Sequence, residues 1–169
     1  MTRFGLERRG DEIAIRRLNE LAFDSPAEAK LVDALRQRNA RALSVVAVDN
    51  DRIIGHILFT EATIKGPQTQ FTAPALAPMA VLLEYQGRGI GSALLQNALD
   101  SCRQRGHEIV VVVGHTASYS KFGFAPAEPQ GIRCEFDVPD DVFMLLELRP
   151  YALAGRRGVA VFHEEFRKL

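Results

Sequence analysis

The chain has 169 residues, 47% hydrophobic and 25% charged, so it can bury a sizeable core and is neither disordered nor fibrous in composition. Its 21 Lys and Arg offset 21 Asp and Glu, a net charge of zero that lacks the basic excess of a protein built on phosphate contacts with nucleic acid. No apolar run approaches the roughly 18 residues of a membrane span, no apolar leader follows the first charged residues, and Cys102 and Cys134 form neither a metal-ligand spacing nor a disulfide framework. The expectation is one cytoplasmic domain over residues 1–169, with no nucleic-acid or membrane partner.

A short strand is expected at Arg3 to Arg8, then a helix with Ile13, Arg17, Leu18, Leu21 and Ala22 at helical spacing. The arginines at 3, 8, 9, 16 and 17 interleave with Glu7, Asp11 and Glu12, the pattern of a solvated helix face. A second helix should start after Ser25-Pro26, with Ser25 as N-cap and a stripe of Ala27, Leu31, Ala34 and Leu35. Leu43 to Val48 and Arg52 to Thr63 read as an antiparallel hairpin around the turn residues Asp49-Asn50-Asp51. Phe71 to Leu83 is a third strand region, and Pro74 and Pro78 predict a bulge or a locally unpaired edge there. Ile90 to Arg105 is the clearest helix, with Leu94, Leu95, Ala98, Leu99 and Cys102 on its apolar face and Gly106 as its stop. Ile109 to Val113 reads as a strand buried on both faces, Thr116 to Lys121 as a short helix and Phe143 to Leu148 as a further strand. A last strand and a frayed end are expected beyond Gly155. Hairpin strands followed by a strand–helix–strand unit indicate an α+β fold with a mixed sheet.

The informative stretch runs from Met79 to Ala93, where a strand ends, glycines turn the chain and a helix begins. A helix N-terminus offers unpaired N–H groups and the positive end of its dipole, and glycines let a ligand reach the backbone, so this is an anion site suited to a pyrophosphate. The P-loop pattern fails because the lysines stand only at 30, 65, 121 and 168. The dinucleotide fingerprint has Gly87 and Gly89 but Ser92 in place of its third glycine, and Glu108 precedes the next strand rather than ending it.

Gln86-Gly87-Arg88-Gly89-Ile90-Gly91 resembles the Gln/Arg-x-x-Gly-x-Gly/Ala signature of the GCN5-related N-acetyltransferase (GNAT) superfamily. Ala80-Val81-Leu82 resembles the strand that pairs with the pantetheine arm of the cosubstrate, and Ser118 to Phe124 resembles a downstream Tyr-x-x-x-Gly-Phe element. The resemblance covers Leu43 to Phe124 and is closest to small bacterial acetyltransferases of unassigned substrate. It implies a mixed, mostly antiparallel sheet splayed between its fourth and fifth strands and flanked by helices. It further implies an N-acetyltransferase that moves the acetyl group of acetyl-coenzyme A to a primary amine by direct attack in a ternary complex, without a metal. Final strands in this family often pair between subunits, which implies a homodimer.

By the same resemblance, Met79, Ala80, Val81, Gln86, Gly87, Arg88, Gly89, Ile90, Gly91, Ser92, Ser118 and Phe122 form the coenzyme site. Backbone N–H groups of 88–92 would meet the pyrophosphate, and the Gln86 side chain would reach the phosphates. Tyr119 is the candidate general acid, because a phenol is protonated at neutral pH and can donate to a leaving thiolate. His115, at the carboxyl end of a buried strand, is a candidate catalytic group; capping the short helix is its plainer role, and a water chain in place of any base is the alternative. His56 reads as a core histidine. A catalytically weak acyl-coenzyme A sensing module is the competing function, and a nucleotide-dependent oxidoreductase a third. Acidic residues at 135, 137, 140 and 141 favour a cationic amine acceptor, although a solvated loop fits them equally.

Overall fold

Asn50 and Asp51 both take left-handed backbone, with φ of 48° and 60°, the two-residue turn whose twist matches a β-hairpin. They join β2 (Arg41–Asp49) to β3 (Arg52–Lys65), which pair antiparallel from Asp49↔Arg52. The expected hairpin is present. The computed structural model describes residues 1–114 and 116–168. Among these the remaining strands are β1 (Arg3–Leu6), β4 (Gln70–Val81), β5 (Ile109–Val113), β6 (Ala125–Pro126), β7 (Ile132–Cys134), β8 (Phe143–Glu147) and β9 (Gly158–Val161). The helices are α1 (Glu12–Phe23), α2 (Ala27–Gln37), α3 (Ile90–Gln104) and α4 (Thr116–Ser120). No described helix is long and apolar enough to cross a membrane.

The strands hydrogen-bond in the order β1-β2-β3-β4-β5-β8-β6, and β9 pairs with both β3 and β7. The β1–β2, β2–β3, β3–β9, β5–β8 and β6–β8 pairs are antiparallel, whereas β4–β5 and β7–β9 are parallel. The mixed, mostly antiparallel sheet follows the sequence expectation. Its weak seam is where the fourth and fifth strands meet, through the register pair Ala75↔Val111. Pro74 and Pro78, which have no N–H to give a ladder, bracket that pair.

The chain packs as two compact units, and β3 and β4 each run through both. The first holds Met1–Thr60, Ala77–Ser101 and the chain from Glu164 onward. Its α1 and α2 cover one face of the hairpin, with Ile15, Leu31, Val32, Leu35, Val46, Leu58 and Ala77 in one apolar cluster. Beneath α1 lies a chain of polar groups. The His56 ring is fully buried, and its Nε2 lies 2.9 Å from Ser44 Oγ. The Asn19 amide stands 3.5 Å from Nδ1 and also donates to the Ile15 carbonyl at 2.9 Å. Ser44 donates in turn to Glu7, which accepts from Arg36 at 2.5 Å and Arg41 at 2.9 Å. This directionality fits the tautomer with the proton on Nε2, an assignment by hydrogen-bond logic. Burial holds the His56 pKa down to about 4. Burial pushes the Glu7 carboxyl up, but the Ser44 hydroxyl and the two guanidiniums outweigh it, and the net shift is downward.

That network corrects two expectations. The sequence puts Ile13 and Leu21 on the core stripe of α1, yet they are 82% and 58% exposed; Leu18 is buried as expected, and Ile15 and Asn19 join it in their place. A buried asparagine breaks the apolar count, so the stripe looks rotated when only apolar residues are scored. In α2 the buried set is Ala29, Leu31, Val32 and Leu35, with Ala27 and Ala34 only partly covered. Ser25 does accept a hydrogen bond, from the Ala27 N–H at 3.2 Å, although Pro26 occupies the cap position.

The second unit holds Glu61–Leu76 and Cys102–His163. β5 is buried from Ile109 to Val112 and pairs with β8 from Ile109↔Glu147 to Val113↔Phe143. Phe162 stacks on Phe136 at 5.4 Å and meets the edge of Phe143 at 6.3 Å. α3 ends as expected at Gly106, where the N–H groups of Gly106 and His107 return to the carbonyls of Arg103 and Cys102, each at 3.0 Å. Cys102 is fully buried and its thiol pKa is pushed up to about 11. β6 and β7, of two and three residues, are not anticipated by the sequence pattern.

Candidate active site

At the end of β4 the chain forms a 3₁₀ turn over Leu83–Tyr85, then an extended Gln86, then α3. The turn is tied down on the β2–β3 hairpin side. The Leu82 N–H donates to the Ile54 carbonyl at 2.9 Å, the Tyr85 hydroxyl donates to Asp49 at 3.3 Å, and Arg52 lies 3.3 Å from Glu84. The Arg88 guanidinium sits 5.3 Å above the Tyr85 ring, a cation–π contact that keeps its charge at the loop.

Gly87 and Gly89 have φ of +76° and +81°, backbone that side-chain-bearing residues rarely adopt. A Cβ built at either would meet no protein atom within 4 Å. The space above the loop is therefore room that the fold itself does not fill. The first intrahelical bond of α3 runs from the Ala93 N–H to the Gly89 carbonyl at 3.0 Å. The N–H groups of Ile90, Gly91 and Ser92 thus lie in the first turn, without intrahelical acceptors and at the positive end of the dipole. An open backbone cradle at a helix N-terminus fits the pyrophosphate of a coenzyme. Val81 reaches within 3.8 Å of a Cβ at Gly91, so the strand end and the helix start are in contact. The Gln86 side chain donates to the Val81 carbonyl at 2.9 Å, bridging the two ends of the turn, rather than projecting freely towards the loop.

In the second unit, α4 carries Tyr119. Its ring meets Phe124 edge-on at 5.7 Å, and Phe124 is 2% exposed. Burial pushes the phenol pKa above its ordinary value, so the hydroxyl keeps its proton across the neutral range. A Cβ at Gly114 would lie 2.5 Å from the Tyr119 ring. Ser118 is exposed, and Phe122 is half-buried beneath the Lys121 ammonium, 5.6 Å away. His115 lies outside the described residues. Further along, a cavity of about 160 Å³ is lined by Glu128, Arg133, Phe136, Asp137 and Asp140 among others. A hydrogen bond that protonated Glu128 donates to the Asp140 carboxylate, with the charge of that carboxylate, raises the Glu128 carboxyl pKa. No group of three His, Cys, Asp or Glu among the described residues could hold a metal ion.

The family model described as "Acetyltransferase (GNAT) domain" matches residues 8–127. The chain is 35% identical over 148 residues to the uncharacterized N-acetyltransferase YhbS of Escherichia coli, covering 87% of each protein. The chain belongs to the GNAT acetyltransferase family. The crystal structure of Escherichia coli YhbS, in complex with CoA, superposes with a TM-score of 0.91 at 34% identity, over 98% of this chain and 92% of that one. A GNAT acetyltransferase from Brucella melitensis, in complex with acetyl-CoA, gives 0.80 at 29% identity over 98% of both chains.

The sequence-expected residues of this GNAT acetyltransferase fall into two groups. Met79 to Val81 and Gln86 to Ser92 come together at the β4–α3 corner of the first unit, while Ser118, Tyr119 and Phe122 lie on or just after α4 in the second. Sequence reasoning missed the braces of the corner, Asp49 and Tyr85, and the seat of the Tyr119 ring, Gly114. For the last, a lone glycine closing a run of valines was the available signal.

Proposed function

We propose that the protein is a single acyl-coenzyme A N-acyltransferase domain that passes the acetyl group of acetyl-coenzyme A to a primary amine, by direct attack in a ternary complex. The observation that carries this reading is the β4–α3 corner: two glycines with positive φ, nothing within 4 Å of their missing side chains, and a helix N-terminus behind them. The N–H groups of 88–92 bind the pyrophosphate in this reading, and Met79 to Val81 run alongside the pantetheine arm. Gln86 acts first on Val81, and any contact with the phosphates requires it to give that bond up.

Tyr119 is the donor to the departing sulfur in this mechanism. Its phenol, with a pKa raised above the ordinary 10 by burial, is a weaker acid than a thiol of about 8.5. Complete proton transfer to the thiolate is then uphill by about 2 kcal/mol or more. Donating a hydrogen bond to the charge as it develops is the cheaper contribution, and it acts in the transition state. The amine must arrive deprotonated, from pKa values of about 8 to 10.4. His115 or a chain of water serves as the base. A cytoplasmic location is in keeping with Cys102 and Cys134 both being free thiols. The homodimer suggested by family resemblance is open to a sedimentation measurement.

The test is calorimetric titration with acetyl-coenzyme A of wild type, Gly89→Asn and Gly89→Glu. Asparagine tolerates left-handed backbone, so Gly89→Asn separates conformation from charge. Wild type should bind, Gly89→Asn should bind more weakly, and folded Gly89→Glu should not bind. A folded wild type that gives no heat at millimolar coenzyme overturns the reading.

A further inference from the structure

We infer that Gly114 is a positioning residue for Tyr119: its missing side chain is the seat of the phenol ring. The inference rests on the reading of Tyr119 as donor to the leaving thiolate. A Cβ at 114 would lie 2.5 Å from Cε2 of that ring, 3.2 Å from Cδ2 and 3.4 Å from Cζ. Carbon atoms settle at about 3.5–4.0 Å, so a single methyl group must displace the ring by about 1 Å.

Neither side of the contact yields easily. Gly114 follows β5, and its N–H donates to the Val142 carbonyl at 2.9 Å, which holds the backbone in place. The Tyr119 ring also meets Phe124, a core aromatic, in a T-shaped contact at 66°. Gly114 does not have positive φ, unlike Gly87 and Gly89. Alanine at 114 therefore changes space and leaves the backbone unstrained, so its effect reports on the ring.

The chemistry makes ring position matter. A hydrogen bond weakens steeply as the donor leaves its line, and a misplacement of about 1 Å can cost about 100-fold in rate. Gly114 touches neither coenzyme nor amine in this account; it acts through Tyr119.

The experiment measures kcat and the KM for acetyl-coenzyme A by thiol release, with butylamine, spermidine and a lysine-containing peptide as amines. Wild type, Gly114→Ala, Tyr119→Phe and the double variant are compared. Gly114→Ala should lower kcat about 100-fold, with KM within about threefold. Tyr119→Phe should lower kcat by on the order of 100-fold or more, and the double variant should match Tyr119→Phe, because no hydroxyl remains to misplace. Wild-type kcat in Gly114→Ala, or a double variant well below Tyr119→Phe, overturns the inference. Wild-type kcat in Tyr119→Phe, or no release by wild type with any amine, overturns the reading of Tyr119 itself and the inference with it. If Gly114→Ala does not fold, Gly114→Ala/Tyr119→Ala, in which the ring is gone, should melt with Tyr119→Ala. If that variant also fails to fold, the methyl strikes something other than the ring and the inference is wrong.

Discussion

Gln86 shows how one side chain can serve a site without occupying it. Its amide spans the 3₁₀ turn and holds the Val81 carbonyl at 2.9 Å, so the strand end and the glycine loop keep a fixed spacing. A single hydrogen bond of this kind contributes about 1 kcal/mol, a factor of about five in an equilibrium constant. Gln86→Ala should therefore raise the KM for acetyl-coenzyme A about fivefold and leave kcat near wild type, measured by initial rates at saturating amine. A fall in kcat with unchanged KM would mean that Gln86 acts on the reaction rather than on the loop. At this scale the sequence was most legible where the backbone itself is the signal. Glycines at 87, 89 and 91 announce a turn and a close approach whatever surrounds them. Gly114 offered only its place at the end of a run of valines, because the ring that lies against it stands five residues further on, at a spacing that no periodic pattern marks.

Elements were legible when their cause is local. The β2–β3 turn and α3 carry their own stop signals, and both appear where expected. α1 was found, but its buried face was misread, since Asn19 enters the core for a partner 37 residues away. β6 and β7 are too short to leave an alternating pattern. The network beneath α1 binds elements together: Glu7 follows β1, Asn19 is on α1, Arg36 on α2, Ser44 and Arg41 on β2, and His56 on β3. It also sets an acid limit. The unfolded chain protonates His56 near its ordinary pKa of about 6.5, while the folded chain resists until about 4. Stability should thus be lost as pH falls between those values, by up to roughly 3 kcal/mol from His56 alone. The lowered pKa of Glu7 adds loss in the same direction below its unfolded value, and the lowered pKa of His107 adds a share of the upper range. Melting temperatures from pH 7 to pH 4 should fall more steeply for wild type than for His56→Leu. Parallel curves would show that His56 does not control this range.

For the whole molecule, a ligand that binds only the folded state stabilises it by mass action. At 100 times its dissociation constant, acetyl-coenzyme A should add about 2.7 kcal/mol. For a chain of this size that raises the melting temperature by roughly 5–10 °C. Gly89→Glu should show no such rise, and an equal rise in both would place the coenzyme away from the β4–α3 corner. The zero net charge left the acceptor illegible in the sequence, because no surface-wide sign favours one class of amine.

The deep burial of Cys102 has a practical consequence for bench chemistry. With a pKa of about 11, its thiol is ionised to only about one part in ten thousand at pH 7. A disulfide reagent that counts thiols reacts with the thiolate, and so passes over Cys102 while the helix stays packed. Cys134 is half-buried and its pKa is also raised, so it too reacts slowly. Coenzyme A released during turnover can therefore be followed continuously with intact enzyme in the cuvette. A sudden burst of up to two further equivalents of reactive thiol, from Cys102 and Cys134, marks in the same trace the moment the protein comes apart.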